Sequence, residues 1–126
     1  MIAEIAGQAV GYSLIDSWHD EDNLWVYLIL GWVLPDWRGR GIGTAMLRWG
    51  QQAARRLAAL EHPGEAFEFA GSAGIAQIDA SNLLLNEGFS IGYSDFDMSL
   101  DPAAPLDECR LPAGVELRPA LREHIM

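Results

Sequence analysis

The sequence predicts a single α/β domain, and three features of its hydrophobic pattern carry that prediction. Residues 1–6 and 9–18 are rich in apolar side chains that partly alternate with polar ones, as in strands. A continuous apolar run over residues 24–34 is typical of a strand covered on both faces. Beyond Arg40, apolar residues recur with the period of a helix. A chain of 126 residues can form one such domain with a modest core.

The first two strands form a predicted hairpin, with Gly7 and Gln8 as its two-residue turn. The apolar run over residues 24–34 is far shorter than the roughly twenty residues of a membrane-spanning helix, so it is interpreted as a buried strand. Gly31 interrupts this strand. An isolated glycine there indicates either a bulge or a close approach by another backbone or a ligand. Pro35 ends the strand.

A long helix is predicted after the loop that follows this strand. Its expected buried face consists of Met46, Gly50, Ala53, Leu57 and Leu60. Pro63 and Gly64 end the helix. Residues 65–70 predict a short strand and residues 75–86 a second helix, after which Gly88 supplies the left-handed residue that helix ends commonly need.

The last part of the chain is expected to be less regular. Residues 89–100 carry two alternating apolar sets that are one residue out of phase, which indicates a strand with a bulge. The composition then changes to Pro, Ala and Asp. Residues 1–100 are therefore interpreted as the core of the domain, and residues 101–113 as a linker that follows it. Residues 114–126 are interpreted as a short strand followed by the first turns of a helix.

Composition narrows the range of functions. The net charge is −10 and lysine is absent, which argues against the phosphate neutralisation that nucleic-acid binding needs. The N-terminal segment lacks the basic region and apolar run of a signal peptide, so we expect a cytoplasmic protein that does not enter a membrane. Cys109 is the single cysteine, and the three histidines are too far apart in sequence for a local metal site, so no metal is expected.

A glycine-rich loop between the buried strand and the long helix carries the strongest functional signal. It reads Arg38-Gly39-Arg40-Gly41-Ile42-Gly43-Thr44. A loop that enters a helix N-terminus presents unpaired backbone N–H groups and the positive end of the helix dipole, which together bind phosphate. An ordinary glycine-rich turn is the alternative. A Walker loop is excluded because it needs lysine, and a dinucleotide fingerprint because it needs glycine where Thr44 stands.

The segment around this loop resembles the acetyl-CoA signature of the GNAT acyltransferases. The matching letters are Val33-x-Pro35-x-x-Arg38-Gly39-x-Gly41-Ile42-Gly43, and the sequence ASNLLLNEGF over residues 80–89 resembles the family's second helix and its terminal Gly-Phe. The resemblance implies a mixed, mostly antiparallel sheet with splayed central parallel strands, flanking helices and bound acetyl-CoA. It also implies acyl transfer to a small amine or a peptide amine.

The resemblance implies that backbone groups near the end of the buried strand hold the pantetheine arm. The glycine-rich loop would hold the diphosphate, and two arginines would add charge-assisted contacts. The implied cofactor-binding residues are Trp32, Val33, Leu34, Arg38, Gly39, Arg40, Gly41, Ile42, Gly43 and Thr44.

The catalytic side chains of the family are not evident. Many members have a tyrosine as general acid where this chain has Leu84, and many have a glutamate on the central strand, where residues 24–34 contain no carboxylate. Tyr27 is the only ionisable side chain in that strand, and a core role for it is favoured. Glu21 and Asp22, together with His19, precede the strand and could accept a proton, although an acidic solvated loop explains them as well.

The chain also departs from the family in extent. The strand and two helices with which a GNAT domain normally begins are missing, while residues 114–126 resemble the start of such a domain. The chain is therefore interpreted as a piece of a tandem protein or as a naturally short version. A homodimer that involves the C-terminal segment is expected, because the first strand would otherwise leave an open sheet edge. The alternative to an enzyme is a non-catalytic CoA-binding or structural module of a tandem or oligomeric protein.

Overall fold

A computed structural model describes residues 1–95, 98–105, 110–119 and 121. The chain divides into two compact units, Met1–Tyr93 and Ser94–Met126. All helices and strands of the described residues belong to the first unit. None of these helices is long and apolar enough to cross a membrane.

The first unit is built on one four-stranded mixed sheet. Its strands are β1 (Ile2–Ile5), β2 (Gln8–His19), β3 (Trp25–Val33) and β4 (Phe67–Ala70). They lie in sequence order, with β1, β2 and β3 antiparallel and β4 parallel to β3. Two helices, α1 (Ile42–Glu61) and α2 (Ile78–Asn86), and a short 3-10 turn (Pro35–Trp37) complete the unit. The predicted mixed α/β architecture is confirmed.

The hairpin forms, but its turn lies one residue earlier than predicted. Ile5 pairs with Gln8, so Ala6 and Gly7 are the turn residues, with φ of +50° and +79°. A two-residue turn of this kind needs positive φ at both positions because its twist must match that of the strands. The predicted turn would have required positive φ at Gln8, which a long side chain tolerates poorly.

A bulge, one of the two interpretations of Gly31, is absent from the β2–β3 pairing, which runs without interruption from Gly11 opposite Val33 to His19 opposite Trp25. A Cβ at Gly31 would meet its nearest neighbours at ordinary contact distance, 3.8 Å, so the strand remains regular there. The irregularity instead lies between β1 and β2, where the pairing shifts between Ala3 and Glu4.

Helix α1 packs on one face of the sheet through a row of small residues. Met46, Gly50, Ala54 and Ala58 are buried against β2 and β3, and a Cβ at Gly50 would come within 2.7 Å of Cγ2 of Ile29. The predicted face is therefore partly wrong: Ala53 and Leu57 are only half-buried, and Leu60 is 80% exposed. The small residues let the helix approach the sheet closely. Leu47 is also buried and Leu57 packs against the core cluster, whereas Leu60 is left exposed.

The region after α2 differs from its prediction. Helix α2 begins at Ile78, three residues later than predicted, and Ile75 is fully exposed. No strand forms over residues 89–95 or 98–100; Phe96 and Asp97 lie outside the described residues. Alternating apolar residues give a strand one apolar face. They do not supply the paired backbone hydrogen bonds that hold it in a sheet.

The described residues of the second unit contain no helix or strand. The predicted strand at Val115 to Arg118 is irregular, and Val115 and Leu117 are exposed. Four residues without a ladder partner cannot hold a strand by local propensity alone. The predicted start of a helix falls mostly on Ala120 and residues 122–126, which lie outside the described part of the chain.

Candidate functional site

The loop between β3 and α1 has the geometry of an anion-binding nest. Gly39 and Gly41 have φ of +71° and +78°, and Gly41 is the N-cap of α1. The first helical bond runs from Ala45 N–H to the carbonyl of Gly41, so the N–H groups of residues 42–44 lie before it. No side chain caps this end, and its first turn has no acidic residue. Such a helix start attracts an anion.

The two loop glycines are required by conformation rather than by crowding. A Cβ at either position would meet no heavy atom within 4 Å, but positive φ strains any residue with a side chain. The space above the loop is therefore open to a ligand. Gly43 differs, because its Cβ would lie 3.0 Å from Cδ1 of Leu83 and it sets the approach of α2 to α1.

The arginines near the loop are held by neutral partners. Arg38 Nε donates to the carbonyl oxygen of Val33 at 3.0 Å, and the guanidinium of Arg40 lies 4.8 Å from the ring centre of Trp37. In the described part of the chain neither guanidinium forms an ion pair. Their positive charge is thus available beside the nest.

Arg48 has a different role. It donates two hydrogen bonds of 2.8 Å to the carboxylate of Glu87, and so ties α1 to the end of α2. The hydrogen bonds from Arg48 hold the pKa of Glu87 below its ordinary value, against the opposing effect of desolvation. This arginine is therefore structural.

A gap opens beside β3 just before the loop. The parallel pairing with β4 ends at Leu28 opposite Ala70, while β3 continues to Val33. Beyond Leu28, this edge of β3 has no strand partner among the described residues. β3 therefore extends beyond the end of β4, and its free edge leads to the nest.

The backbone at the end of β3 is partly engaged. Leu34 N–H donates to the carbonyl of Val10 at 2.9 Å, and the carbonyl of Leu34 accepts from Trp37 N–H at 2.9 Å. Trp32 itself pairs with Tyr12 across the β2–β3 ladder. The structure thus brings Trp32, Val33 and Leu34 next to the nest.

The sequence matches the family of acetyltransferase (GNAT) domains over residues 1–87. The chain belongs to the GNAT acetyltransferase family. The expected GNAT fold is thereby confirmed, as a mixed four-stranded sheet with two helices and a glycine-rich loop between β3 and α1. A search among curated proteins finds no match.

Solved GNAT structures share this fold at low sequence identity. An aminoglycoside N-acetyltransferase, AAC(6')-Iy, solved in complex with CoA, has a TM-score of 0.59 and 20% identity, covering 78% of this chain and 63% of its own. AAC(6')-IG from Acinetobacter haemolyticus has a TM-score of 0.56 and 20% identity, covering 79% of this chain and 69% of its own.

A third similar structure is a ribosomal-protein-alanine N-acetyltransferase from Brucella melitensis biovar Abortus 2308. It has a TM-score of 0.56 and 18% identity, covering 79% of this chain and 68% of its own. The present chain thus spans just under two thirds of the length of AAC(6')-Iy.

The acidic catalytic candidates of this GNAT chain lie away from the gap. Glu21 and Asp22 are exposed in the β2–β3 turn, where Asp20 Oδ1 accepts from the N–H groups of Asp22 and Leu24 at 3.0 and 2.9 Å. The gap begins after Leu28, about 13 Å further along an extended chain from Leu24. Among the described residues, no group of three or more His, Cys, Asp or Glu side chains converges on a metal position.

Tyr27 lies in the core beneath α1. It is fully buried with Ala54 and Ala58, and its hydroxyl has no hydrogen-bond partner in the described structure. Burial, and then the nearby carboxylates of Glu61 and Glu65, raise the pKa of this phenol. A neutral, enclosed phenol on the helix-covered face is suited to packing.

Where many family members have a tyrosine acid, this chain has a leucine that packs against its neighbours. Leu84 lies over Gly71, where a Cβ would be only 2.6 Å from Cδ2 of Leu84. The leucine therefore fills the space between α2 and the end of β4. It offers no proton.

One feature near the site was missed from the sequence. Tyr12 and Trp32 stack, with ring centres 4.8 Å apart and planes at 18°, and both line an open groove beside the end of β3. The pairing depends on the β2–β3 register, which the hydrophobic pattern alone does not fix. Once the β2–β3 register is known, aromatic residues that lie opposite each other on one face of the two strands identify this pair.

Proposed function

We propose that this chain binds acetyl-CoA and transfers the acetyl group to a primary amine by direct attack in a ternary complex. The observation that carries the proposal is the β3–α1 loop, with left-handed glycines at 39 and 41 and an uncapped helix start. Backbone N–H groups of residues 39–44 would hold the diphosphate, and Arg38 and Arg40 would add charge. The end of β3 at Trp32, Val33 and Leu34 would lie along the pantetheine arm, beside the edge that β4 leaves unpaired.

The proposed reaction makes few chemical demands on side chains. The amine nitrogen bonds to the thioester carbonyl carbon, the carbon–sulfur bond breaks, and a proton lost from nitrogen ends on the thiolate or in solvent. Leu84 cannot supply that proton and Tyr27 is enclosed, so the chain acts by holding a neutral amine against the thioester. Positioning of this kind can lower a barrier by about 7–11 kcal/mol in favourable cases.

The acceptor class is proposed from the family and from the similar structures. The similar structures include enzymes named for aminoglycosides and for a ribosomal-protein alanine. A small amine or a peptide amine is therefore the proposed acceptor. We also propose a cytoplasmic homodimer, and residues 114–126 as the beginning of a further repeat.

A non-catalytic module is the second candidate, and two observations favour it. Leu84 packs tightly on Gly71 where an acid would stand, and β3 carries no carboxylate. In this alternative the chain binds CoA, or serves a tandem or oligomeric protein, without chemistry. The intact nest argues against a purely structural module, because such a module does not need two left-handed glycines there.

Gly41→Val tests the nest directly. The substitution strains the left-handed conformation and pushes methyl groups into the open space, so we expect CoA affinity to fall at least tenfold, about 1.4 kcal/mol. Gly64→Val is the matched control, because Gly64 has φ of +83°, also lacks neighbours within 4 Å of its Cβ, and lies beyond the end of α1. Isothermal titration calorimetry with CoA on both folded variants is the measurement.

Two results would count against the proposal. Equal CoA affinity in wild type and Gly41→Val would remove the nest as the diphosphate site. Tight CoA binding without thiol release from acetyl-CoA, across a broad panel of primary amines, would favour the non-catalytic module.

A further inference from the structure

Arg40 is the arginine of the β3–α1 loop that donates no hydrogen bond in the described structure. Arg38, the other loop arginine, donates from Nε to the carbonyl oxygen of Val33, and Arg48, further along α1, is committed to α2. The guanidinium of Arg40 instead lies over the ring of Trp37, 4.8 Å from the ring centre. Its N–H donors are therefore available to an anion.

The contact with Trp37 keeps this guanidinium close to the nest. Arg40 stands between Gly39 and Gly41, the two left-handed glycines, so its side chain leaves the backbone at the nest itself. Contact with a ring face leaves N–H donors of a guanidinium able to form hydrogen bonds. Asp36, the acidic residue of the 3-10 turn, forms no ion pair with Arg40 in the described structure. The positive charge beside the nest is thus not neutralised.

The nest alone does not match the whole charge of CoA. The free N–H groups of residues 42–44 precede the first helical bond and suit the oxygens of a diphosphate. CoA carries a further phosphate on the 3' oxygen of its ribose, and a phosphate monoester bears a charge of about −1.5 to −2 at pH 7. In a chain of net charge −10, such a group needs a cation close to it, and a guanidinium matches its oxygens in geometry.

The two loop arginines are placed for different parts of the ligand. Arg38 is held on Val33, at the end of β3, where the pantetheine arm is proposed to lie. The ribose phosphate is on the other side of the diphosphate from that arm. Arg40 is not attached to β3, so it is the loop cation left for the ribose end of the molecule.

We propose that Arg40 binds the ribose 3'-phosphate of CoA and that Trp37 positions its guanidinium. This pair makes the chain prefer CoA to dephospho-CoA, which is the same molecule without that phosphate. The assignment rests on the proposed function, because it takes the nest as the diphosphate site. It can be tested by binding alone, without acyl transfer.

Isothermal titration calorimetry on the full chain, with CoA and with dephospho-CoA, measures the preference. We expect wild type to bind CoA at least about fivefold more tightly than dephospho-CoA, an effect of the size of a good exposed ion pair. The preference should shrink when NaCl is raised from about 0.05 to about 0.5 M, because salt screens exposed charges.

Arg40→Gln and Arg55→Gln form the matched pair of variants. Both side chains are exposed and both guanidiniums lie over an aromatic ring, that of Arg55 at 4.9 Å from the ring centre of Phe69. Arg55 is about 20 Å along α1 from the first residue of the helix. We expect Arg40→Gln to bring the affinity ratio of the two ligands close to one, and Arg55→Gln to leave it unchanged.

Two further variants separate direct binding from positioning and from general charge. Arg38→Gln should weaken both ligands alike and keep their affinity ratio. Trp37→Leu should reduce the ratio, because Arg40 loses the ring that holds it. In the Arg40→Gln background, Trp37→Leu should change the ratio no further. A purely structural effect of Trp37 would lower both affinities and cancel in the ratio.

The assignment and the proposed function fail in different ways. Equal affinity of wild type for CoA and dephospho-CoA, or a preference that survives Arg40→Gln, would overturn the assignment while the nest remained the CoA site. An equal loss of preference in Arg55→Gln would overturn it too, because overall charge would then set the preference. A wild-type chain that binds neither ligand would remove the proposed cofactor site, and the assignment with it.

Discussion

Tyr27 shows how one residue type can indicate chemistry in a sequence and packing in a structure. It is the only ionisable side chain of the buried strand, where a core role is favoured over a catalytic one. The side chain lies on the face of the sheet that α1 covers. Burial there raises the pKa of the phenol, which stays neutral. Because side chains alternate between faces, the face of a single residue depends on the register, which the sequence did not fix.

Tyr27→Phe tests this structural role. The substitution removes a buried hydroxyl that has no partner in the described structure, so we expect the free energy of unfolding to rise by about 1 kcal/mol, within the range for unsatisfied buried groups. Acyl transfer should be unchanged. Chemical denaturation and a thiol-release assay measure the two quantities. A large loss of activity in a stable Tyr27→Phe protein would instead show that the phenol takes part in catalysis.

The glycines divide into those that the sequence explains and those that it does not. Gly39 and Gly41 belong to a recognisable loop, and their left-handed conformation agrees with the predicted nest. Gly11 and Gly50 carry no motif. A Cβ at Gly11 would lie 2.7 Å from the carbonyl oxygen of Trp32, a restriction that appears only when distant segments have been brought together.

At the scale of elements, local patterns predicted the order of strands and helices better than their registers. The hairpin and the two helices were found because alternation and helical periodicity are local signals. The turn at Ala6 and Gly7 was misplaced by one residue, and the buried row of α1 was shifted. Both depend on which neighbours are contacted. For the same reason residues 89–95 and 98–100 form no strand.

Ala6→Asn should stabilise the hairpin. Ala6 occupies the left-handed region at φ of +50°, which costs a residue with a Cβ roughly 1–2 kcal/mol, whereas Asn tolerates it and Asn-Gly is the preferred pair for this turn. We expect a gain of about 0.5–1 kcal/mol, somewhat less than that penalty. Thermal unfolding, with Ala9→Asn on the neighbouring strand as control, measures it. A decrease in stability would contradict the turn geometry.

Gly50→Ala should destabilise the helix–sheet contact although alanine favours helices by about 1 kcal/mol. The new Cβ would lie 2.7 Å from Cγ2 of Ile29, a buried branched side chain that cannot move aside easily. Overpacking of this kind costs about 1–3 kcal/mol.

The double variant Gly50→Ala with Ile29→Ala separates the two effects. Removing the branched side chain should relieve the clash, so the cost of Gly50→Ala should shrink or change sign in that background. Denaturation curves of the four proteins give the coupling energy. A coupling near zero would mean that the helix does not approach β3 at Gly50.

The whole molecule presents an incompletely covered sheet. Helix α1 covers one face of the sheet through Gly50. Helix α2 contacts α1, with Leu83 at Gly43 and Glu87 at Arg48. Large apolar side chains on the other face are exposed, among them Ile2, Tyr12, Leu14, Trp18 and Trp32. Contiguous exposed apolar surface of this kind usually marks an interaction.

The last prediction is that the chain forms a homodimer through its C-terminal segment. Strand β1 pairs only with β2 among the described residues, so its outer edge offers unpaired backbone groups to another strand. Val115, Glu116, Leu117 and Arg118 have the alternation of a strand and no regular structure in the described chain. Pairing with β1 of a second copy would supply the missing ladder, and two-fold exchange of such a segment closes the assembly.

Light scattering after size exclusion, on the full chain and on a version that ends at Asp107, tests the dimer. We expect the full chain to be a dimer at tens of micromolar and the shortened version to be a monomer with unchanged CoA affinity, because the nest at 39–44 lies within Met1–Tyr93. A double substitution, Val115→Pro with Leu117→Pro, removes two backbone donors from the segment and should also give a monomer without shortening the chain. A full chain that stays monomeric, or a dimer that survives both changes, would show that β1 does not recruit this segment.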